Sequence, residues 1–295
     1  MSKIPRLSTF SIVGHDPEAQ EWGVAVASKF LAVGAVVPWA RAGIGAIATQ
    51  SYANTTFGPA GLELIAQGYS AQDTLNGLLA ADEGRRQRQV GIVDREGRAA
   101  TFTGEECFAW AGGRTGRNYA AQGNILTGPE VVDQMAETFE RTTGTLADRL
   151  LAALAAGQEA GGDSRGQQSS ALIIVKPTGG YAGFNDRFVD LRVDDHPTPI
   201  TELSRILEIH KLYFFETNPE DTLTIDGQLA GTVQEILLRS GHRKSEPTGH
   251  YDEETREAFR ALCGEENLEN RWREGSEVDR VVVEYLERKY GLRDG

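Results

Sequence analysis

Cysteine is scarce: Cys107 and Cys263 stand far apart in the chain and neither belongs to a CxxC pair. That excludes a disulfide framework and a cysteine zinc site, and it fits a reducing compartment. Long apolar runs are missing as well. Nowhere do about 18 uncharged apolar residues follow one another, which excludes a spanning helix. The opening MSKIPRLSTFSIVG holds no apolar stretch of signal length before charged and turn residues intervene, so a cytoplasmic protein with no membrane partner is expected. Positive charge is in deficit too, with 30 Lys and Arg against 43 Asp and Glu and a net charge of −13. A surface built to neutralise phosphates would be basic, so no nucleic-acid partner is expected. Proline is modest at 10 residues, while 40% hydrophobic and 25% charged residues make an ordinary globular composition, which argues against a disordered or collagenous chain.

What is present is glycine, 34 residues of it, in a chain of 295. That length exceeds what one core usually holds and favours two domains. Charge divides unevenly: the last 80 residues carry 19 of the acids and 11 of the bases. Between the Gly, Ala and Val-rich part and this charged part lies Glu216-Thr217-Asn218-Pro219-Glu220-Asp221, a polar stretch that sets the expected joint near residue 216, with domains at 1–215 and 216–295.

In the first part, β-like runs alternate with helical blocks. Strands are predicted at Thr9 to Val13, Gly23 to Ser28, Gly34 to Val37 and Gly43 to Gln50. A second block is predicted at Gln89 to Asp94, Ala99 to Thr103 and Cys107 to Ala111, and a third at Ser170 to Lys176, Gly180 to Phe184 and Phe188 to Val193. Runs such as GVAVAS and ALIIV do not alternate between apolar and polar, which points to strands covered on both faces. Helices are predicted at Pro59 to Gln67 and at Ala71 to Ala81 behind Ser70 as N-cap. Two more are predicted, one opening at Gly128-Pro129 and one at Thr145 with Asp148 three residues on, in a capping-box arrangement. Two sheets face to face, each with a helix pair outside, would accommodate this order in an α+β fold.

A hydroxyl residue at the head of the first strand, Ser8-Thr9-Phe10-Ser11, then a hairpin to GVAVAS and on to GIGAIATQ, resembles the start of an N-terminal nucleophile (Ntn) hydrolase, with the layout of a proteasome β subunit. The segments TFSIVG, GVAVASK, GAIATQ, RQVGIVD, QGNILTG, AGGDSRGQQSSAL and VDLRVDDH together resemble more closely an uncharacterised bacterial Ntn-hydrolase-like family, domain of unknown function 1028, over roughly residues 8 to 205. The resemblance implies a four-layer αββα sandwich. It also implies an amidohydrolase that cleaves a small amide or related C–N bond through an acyl-enzyme on Thr9, with no cofactor. A Thr hydroxyl needs a base within reach, and a free α-amino group of pKa about 8 serves only if Thr9 is the first residue. Residues 1–8 must therefore be removed. Ser8 stands where self-activating relatives carry Gly, and without removal Thr9 is a β-favouring residue at a strand start.

Other site candidates follow from position in that layout. Lys29 sits where related enzymes hold charge beside the nucleophile, or is a solvated strand-end lysine; the lysine that the proteasome has at its third strand is missing from Val33-Gly34-Ala35. Gln50, Ser51 and Asn54 fall where an oxyanion would be held, or are turn residues before Gly58-Pro59. Asn124, after Gly123, either donates to a substrate oxygen or caps a turn. In Gly161-Gly162-Asp163-Ser164-Arg165-Gly166-Gln167-Gln168-Ser169, Asp163 is a candidate to orient the amine. Arg165 is a candidate clamp for Asp163 or for a substrate carboxylate, and Gln168 and Ser169 are candidates to line the pocket; an Asp–Arg brace on a tight connection is the alternative. Asp194, Asp195 and His196 with His15 and Asp16 match no ligand spacing, so no metal is expected. Cys107 is the other conceivable nucleophile, or a free buried cysteine.

In the last part, Glu202 to Phe215 reads as a helix closing the first domain. Gly227 to Ser240, a helix starting at Tyr251-Asp252-Glu253-Glu254-Thr255, and Val281 to Leu286 are similar to a three-helix peptidoglycan-binding-like module. With a cytoplasmic address, this module is expected to be an interaction or homo-oligomerisation element, or a wall of the active site, before it is a polysaccharide binder. The partners expected for the whole chain are a small-molecule substrate and further copies of itself.

Overall fold

A computed structural model describes residues 9–217 and 219–293. The chain forms two compact units that divide between Ile206 and Leu207. It is a mixed α/β structure with three antiparallel sheets and, among the described residues, eight α-helices.

The first unit opens with β1 (Thr9–Asp16) and β2 (Glu21–Ser28), then β3 (Pro38–Arg41) and β4 (Gly45–Ser51), followed by helices α1 (Phe57–Ala66) and α2 (Ala71–Ala80). Four more strands follow, β5 (Arg88–Asp94), β6 (Ala99–Thr103), β7 (Gly112–Gly116) and β8 (Tyr119–Asn124), then α3 (Glu130–Arg141) and α4 (Leu146–Glu159), and last β9 (Ser169–Val175) and β10 (Arg187–Val193). One sheet has the order β10-β9-β2-β1-β8-β7 and the other β3-β4-β5-β6.

Three predicted strands are not strands. At Gly34 to Val37 the chain makes a short 3-10 turn over Val33–Ala35, entered through a left-handed Ala32 (φ 54). A side chain at Gly34 would meet Ala171 at 2.6 Å, so this turn lies directly on β9. Gly180 to Phe184 is likewise a turn, with Ala182 at φ 53 and Gly183 at φ 77. Cys107 to Ala111 is a loop, and pairing begins one residue later, where β7 joins β8 through a tight turn with left-handed Asn118 (φ 68). Gly123 and Asn124 therefore end strand β8.

Strand parity explains the packing, since successive side chains point to opposite faces. Val13 of β1, Trp22, Val24 and Val26 of β2, Ala46 and Ala48 of β4, Val93 of β5, Ala120 of β8 and Ala171 and Ile173 of β9 share one core between the two sheets. The opposite parity of the smaller sheet, Ile47, Val90, Ile92 and Ala100, packs on Phe57, Ile65, Leu75 and Leu78 of α1 and α2. On the outer face of the larger sheet glycines let the helices approach. A Cβ on Gly14 would meet Leu150 of α4 at 2.9 Å and Phe139 of α3 at 3.2 Å. Ser70 caps α2 by accepting from Asp73 N, and Thr145 with Asp148 forms a capping box on α4.

Helix α5 (Pro199–Phe214) spans the division between the units. Its last turns belong to the second core, where Leu212 packs with Ile225, Val233, Phe259, Leu262, Val282 and Leu286. The second unit is α6 (Gly227–Arg239), α7 (Glu253–Glu265) and α8 (Arg280–Lys289) with a two-stranded sheet of β11 (Thr222–Thr224) and β12 (Glu277–Asp279). Buried Arg271 spends its guanidinium on the end of α5, donating to the carbonyls of Leu212 (2.8 Å), Lys211 (2.8 Å) and Phe215, and to Thr217 and Asp279. It adds donors at the helix C-terminus, where the Lys211 carbonyl also accepts from Phe215 N at 3.0 Å. Removing it leaves Asp279 with less charge compensation, so Arg271→Ala is expected to cost the second unit about 3 kcal/mol, read by denaturant unfolding. An unchanged midpoint would contradict the capping role.

Burial pushes the Glu266 carboxyl up, but the Lys289 ammonium and the Tyr290 and Tyr285 hydroxyls outweigh it and hold the carboxyl below its usual range. A lowered folded pKa contributes stability above the unfolded pKa, and that contribution is lost as pH falls through the folded one. Glu266→Gln should therefore destabilise α7 and α8 at pH 7, seen as faster amide hydrogen exchange. The difference from the unaltered protein should close as pH drops through and below the ordinary carboxylate range.

Candidate functional site

The core between the sheets changes character along its length. At one end the inward positions are Val13, Val24, Ala46, Val93 and Ala120. At the other, the same parity carries Thr9 and Ser11 on β1, Ser28 on β2, Gln50 on β4, Gln89 on β5, and Gln122 and Asn124 on β8, all buried. Register brings them together: Thr9 lies opposite Ser28 on one side and Asn124 on the other, and Gln50 lies opposite Gln89.

These side chains satisfy one another. The Thr9 and Ser28 hydroxyls are 3.2 Å apart. Ser11 Oγ donates to Gln50 Oε1 at 2.6 Å and accepts from Gln122 Nε2 at 2.7 Å. Gln50 Nε2 and Asn124 Nδ2 both donate to Gln89 Oε1 at 2.9 Å, and they reach the Thr9 carbonyl at 3.2 and 3.5 Å. Gln89 Nε2 donates in turn to Gly123 O at 2.7 Å and to Thr103 Oγ1 at 2.9 Å. Among the described residues this cluster is built of hydroxyls and amides, a dense buried network of the kind that fixes a unique arrangement.

Of the residues expected at the site, Thr9, Gln50 and Asn124 meet here. A second group stands at Lys29, just beyond the end of β2. Asp163, itself buried, accepts from the Lys29 main-chain N–H at 2.9 Å and from Arg165 through N at 2.9 Å, Nε at 3.3 Å and Nη2 at 3.2 Å. Arg165 also reaches Lys29 O at 3.3 Å. The Lys29 backbone, not its ammonium, thus faces Asp163; the ammonium donates to Gln167 O at 3.0 Å on the surface. Ser169, opposite Ser28 in the register, accepts from Val33 N at 3.1 Å and donates to Phe30 O. Gln168 turns outward to Asp195 at 3.1 Å.

Asn54 is not drawn in: its Oδ1 accepts from Thr56 N and Oγ1, as a turn residue does. Ser51 ends β4 in a left-handed conformation (φ 66). Cys107 lies in a loop with its thiol on Arg88 O, and burial pushes that thiol up while Ser51 opposes, the wrong direction for a thiolate nucleophile. The carboxylates and imidazoles weighed as metal ligands are separated. His15 stacks on Trp22 at 4.6 Å, opposite it in the ladder. Asp194 and His196 join the chain near Ser28 instead, through Ala32 and Gln168. Six residue steps along the strand, roughly 20 Å, separate Trp22 from Ser28. Among the described residues no group of three or more His, Cys, Asp or Glu side chains could hold a metal ion. Burial lowers the His15 pKa, opposed by Asn118, Asp16 and Asp94.

Ser11, Ser28, Gln89 and Gln122 belong to the cluster although no sequence motif singles them out. Their signal is parity: each is a polar residue at an inward position of a strand that also carries apolar residues on that face. Gly91 shares that parity, and a Cβ there would fall 2.0 Å from Gln122 Oε1. Gly91→Ala is expected to displace Gln122 from Ser11 and to cost about 1–3 kcal/mol in urea denaturation. Gly77→Ala in α2, where the nearest atom would be Leu64 Cδ1 at 3.6 Å, should be neutral or gain up to about 1 kcal/mol. Equal effects at both positions would remove the steric explanation.

A family model described as "Family of unknown function (DUF1028)" matches residues 9–203, and one described as "Putative peptidoglycan binding domain" matches residues 213–286. Among solved structures, the chain is similar to the crystal structure of protein SPO2555 from Silicibacter pomeroyi, of the same DUF1028 family model. The two share 33% identity over 69% of this chain and 89% of that one, with a TM-score of 0.63. Anbu (ancestral beta-subunit) from Yersinia bercovieri aligns at 10% identity over 71% of this chain and 98% of that one, with a TM-score of 0.30. No curated protein matches. Among the described residues no helix is long and apolar enough to cross a membrane. The chain belongs to the DUF1028 family of unknown function and carries a peptidoglycan-binding-like domain behind it.

Proposed function

We propose that the first unit is an Ntn-type αββα sandwich and that it hydrolyses a small amide or related C–N bond through Thr9. The observation that carries this reading is the placement of Thr9. It is the first residue of β1, its hydroxyl lies on the inward face, and amides from β4 and β8 hold its carbonyl. A strand-end hydroxyl beside two amide donors has the parts of an acyl-transfer site, a nucleophile and neutral hydrogen-bond donors.

The base is the demanding part. The Thr9 hydroxyl meets the Ser28 hydroxyl, which relays a proton but does not hold one at neutral pH. In the proposed mechanism the α-amine of Thr9 takes that proton, and this requires removal of residues 1–8, which lie outside the described residues. Thr9 Oγ then bonds to the substrate carbonyl carbon, the C–N bond breaks, and the leaving nitrogen departs with the proton. Water cleaves the resulting ester and restores the hydroxyl. Asp163, held by the Lys29 main-chain N–H one residue beyond Ser28, is assigned to orient the amine. Arg165 is assigned to the rim, and Gln50 and Asn124 to the donor side.

A second reading has its own observation: the Asp163 carboxylate is engaged by Lys29 N and by Arg165 in fork geometry, as a structural brace would be. On that reading the sandwich is a catalytically silent binding or assembly scaffold. The second unit is assigned as a homo-oligomer or partner contact, with peptidoglycan tested by a pull-down on purified cell wall.

Intact mass spectrometry separates the two. Hydrolysis at Thr9 predicts a mass lower by residues 1–8, and Thr9→Ala should reduce turnover of any amide substrate by at least about 100-fold. A full-length chain that stays full length, or a Thr9→Ala variant that still turns over substrate, would falsify the nucleophile.

A further inference from the structure

Gln89 lies at the centre of the buried amides. Its nitrogen stands 2.7 Å from Gly123 O and 3.2 Å from Gly112 O. Main-chain carbonyls only accept hydrogen bonds, so the nitrogen must face them and Oε1 must face the other way. A flipped amide would set oxygen against two carbonyl oxygens. The orientation of Gln89 is therefore dictated by the backbone of β7 and β8.

That orientation propagates. Gln89 Oε1 offers two lone pairs, and Gln50 Nε2 and Asn124 Nδ2 fill both at 2.9 Å. Each neighbour must turn its NH2 inward, and the same NH2 groups reach the Thr9 carbonyl. The oxygen of Gln50 is left toward Ser11, whose hydroxyl donates to it, and Ser11 in turn receives Gln122. Strand β4 ends at left-handed Ser51 (φ 66), and β8 is followed by left-handed Ile125 (φ 53).

We propose that Gln89 is the positioning residue of the site: it fixes the polarity of the Gln50 and Asn124 amides so that donors, not acceptors, converge on Thr9. It acts through those two side chains and touches neither substrate nor nucleophile. Its consequence for chemistry rests on Thr9 being the nucleophile, while its consequence for the start of β1 does not.

The test uses the full chain with Gln89→Leu and Gln89→Glu, and two readouts beside the melting temperature. The first is the rate at which a β-lactone acylates Thr9, located by peptide mass spectrometry. The Thr9 oxygen bonds to the lactone carbonyl carbon, the ring C–O bond opens, and the new alcohol takes the proton lost by the hydroxyl. The second is amide hydrogen exchange at Phe10 and Ser11, which needs no activity.

If Gln89 positions Thr9, Gln89→Leu lowers acylation by at least about tenfold and speeds exchange at Phe10 and Ser11 by a similar factor, while exchange in α3 and α4 is unchanged. Gln89→Glu provides the conservative rescue. Ionised, the new carboxyl sets oxygen against Gly112 O and Gly123 O; protonated, it donates as the amide does. The ratio of unaltered to Gln89→Glu acylation rate should therefore narrow as pH falls, a trend that lost packing would not produce. Should Gln89→Leu fail to fold, the pH trend of Gln89→Glu still decides.

Acylation of the unaltered protein at Thr9, with Gln89→Leu within about twofold of it or with a pH-independent Gln89→Glu ratio, overturns the positioning role and leaves the nucleophile standing. No acylation of the unaltered protein, with faster exchange at Phe10 and Ser11 in Gln89→Leu, refutes the nucleophile and keeps the positioning. No acylation and unchanged exchange refutes both.

Discussion

An amide buried between two sheets has four hydrogen-bonding positions to satisfy and no water to satisfy them, and this requirement organises the polar end of the first unit. Gln50, Gln89, Gln122 and Asn124 come from three strands of two different sheets, yet their donors and acceptors meet pairwise. Such closure is possible only if the sheets hold one spacing and one register. The remainder of the unit supplies that constancy. Small inward residues, Ala46, Ala48 and Ala120 among them, keep the apolar end close, and glycines at 14 and 23 let α3 and α4 press on the far face. A shift of one residue in β1 would turn Thr9 and Ser11 toward α4 and leave the amides without partners.

The two ends of the intersheet space are thus consequences of one rule, strand parity, applied to different residues. The fold was largely legible for that reason. Strands β1, β2, β4, β5 and β9 carry unbroken apolar runs, and helices α2 and α4 announce themselves by Ser70 and by the Thr145–Asp148 box. The misreadings fall where local chemistry overrides propensity. Cys107 to Ala111 alternates as a strand would but passes as a loop, and the pairing passes to Gly112–Gly116, residues of low β propensity held by their neighbour β8. Gly180 to Phe184 follows a strand and precedes one, but its left-handed Ala182 and Gly183 make it the turn between them.

The site was legible only in part, and along a different axis. Thr9, Gln50, Asn124, Asp163 and Arg165 could be picked out because each ends a strand or opens a loop, where motifs concentrate. Gln89, Gln122, Ser11 and Ser28 sit inside strands, and a linear motif does not distinguish an inward glutamine from an outward one. Their common face emerges once the register is known. Lys29 shows the opposite case: its position was read from the layout, but its ammonium goes to Gln167 O at the surface while its main-chain N–H does the work of holding Asp163.

The acidity of the chain is equally uninformative about this site. Nineteen of its 43 acids lie in the last 80 residues, and the side chains that meet around Thr9 among the described residues are hydroxyls and amides. A neutral, buried surround has a definite electrostatic effect: it disfavours the charged form of whatever titrates within it. If the α-amine of Thr9 is the base, desolvation among these amides favours its neutral, proton-accepting form near pH 7. The orientation of Gln50 and Asn124 works in the same direction, since both aim N–H donors at the Thr9 carbonyl, and the Gln50 oxygen is taken up by Ser11. Asp163, with its negative charge occupied by Arg165 and by Lys29 N, adds little opposing field. A neutral amide network is therefore a better neighbour for an amine that must accept a proton than a free carboxylate would be.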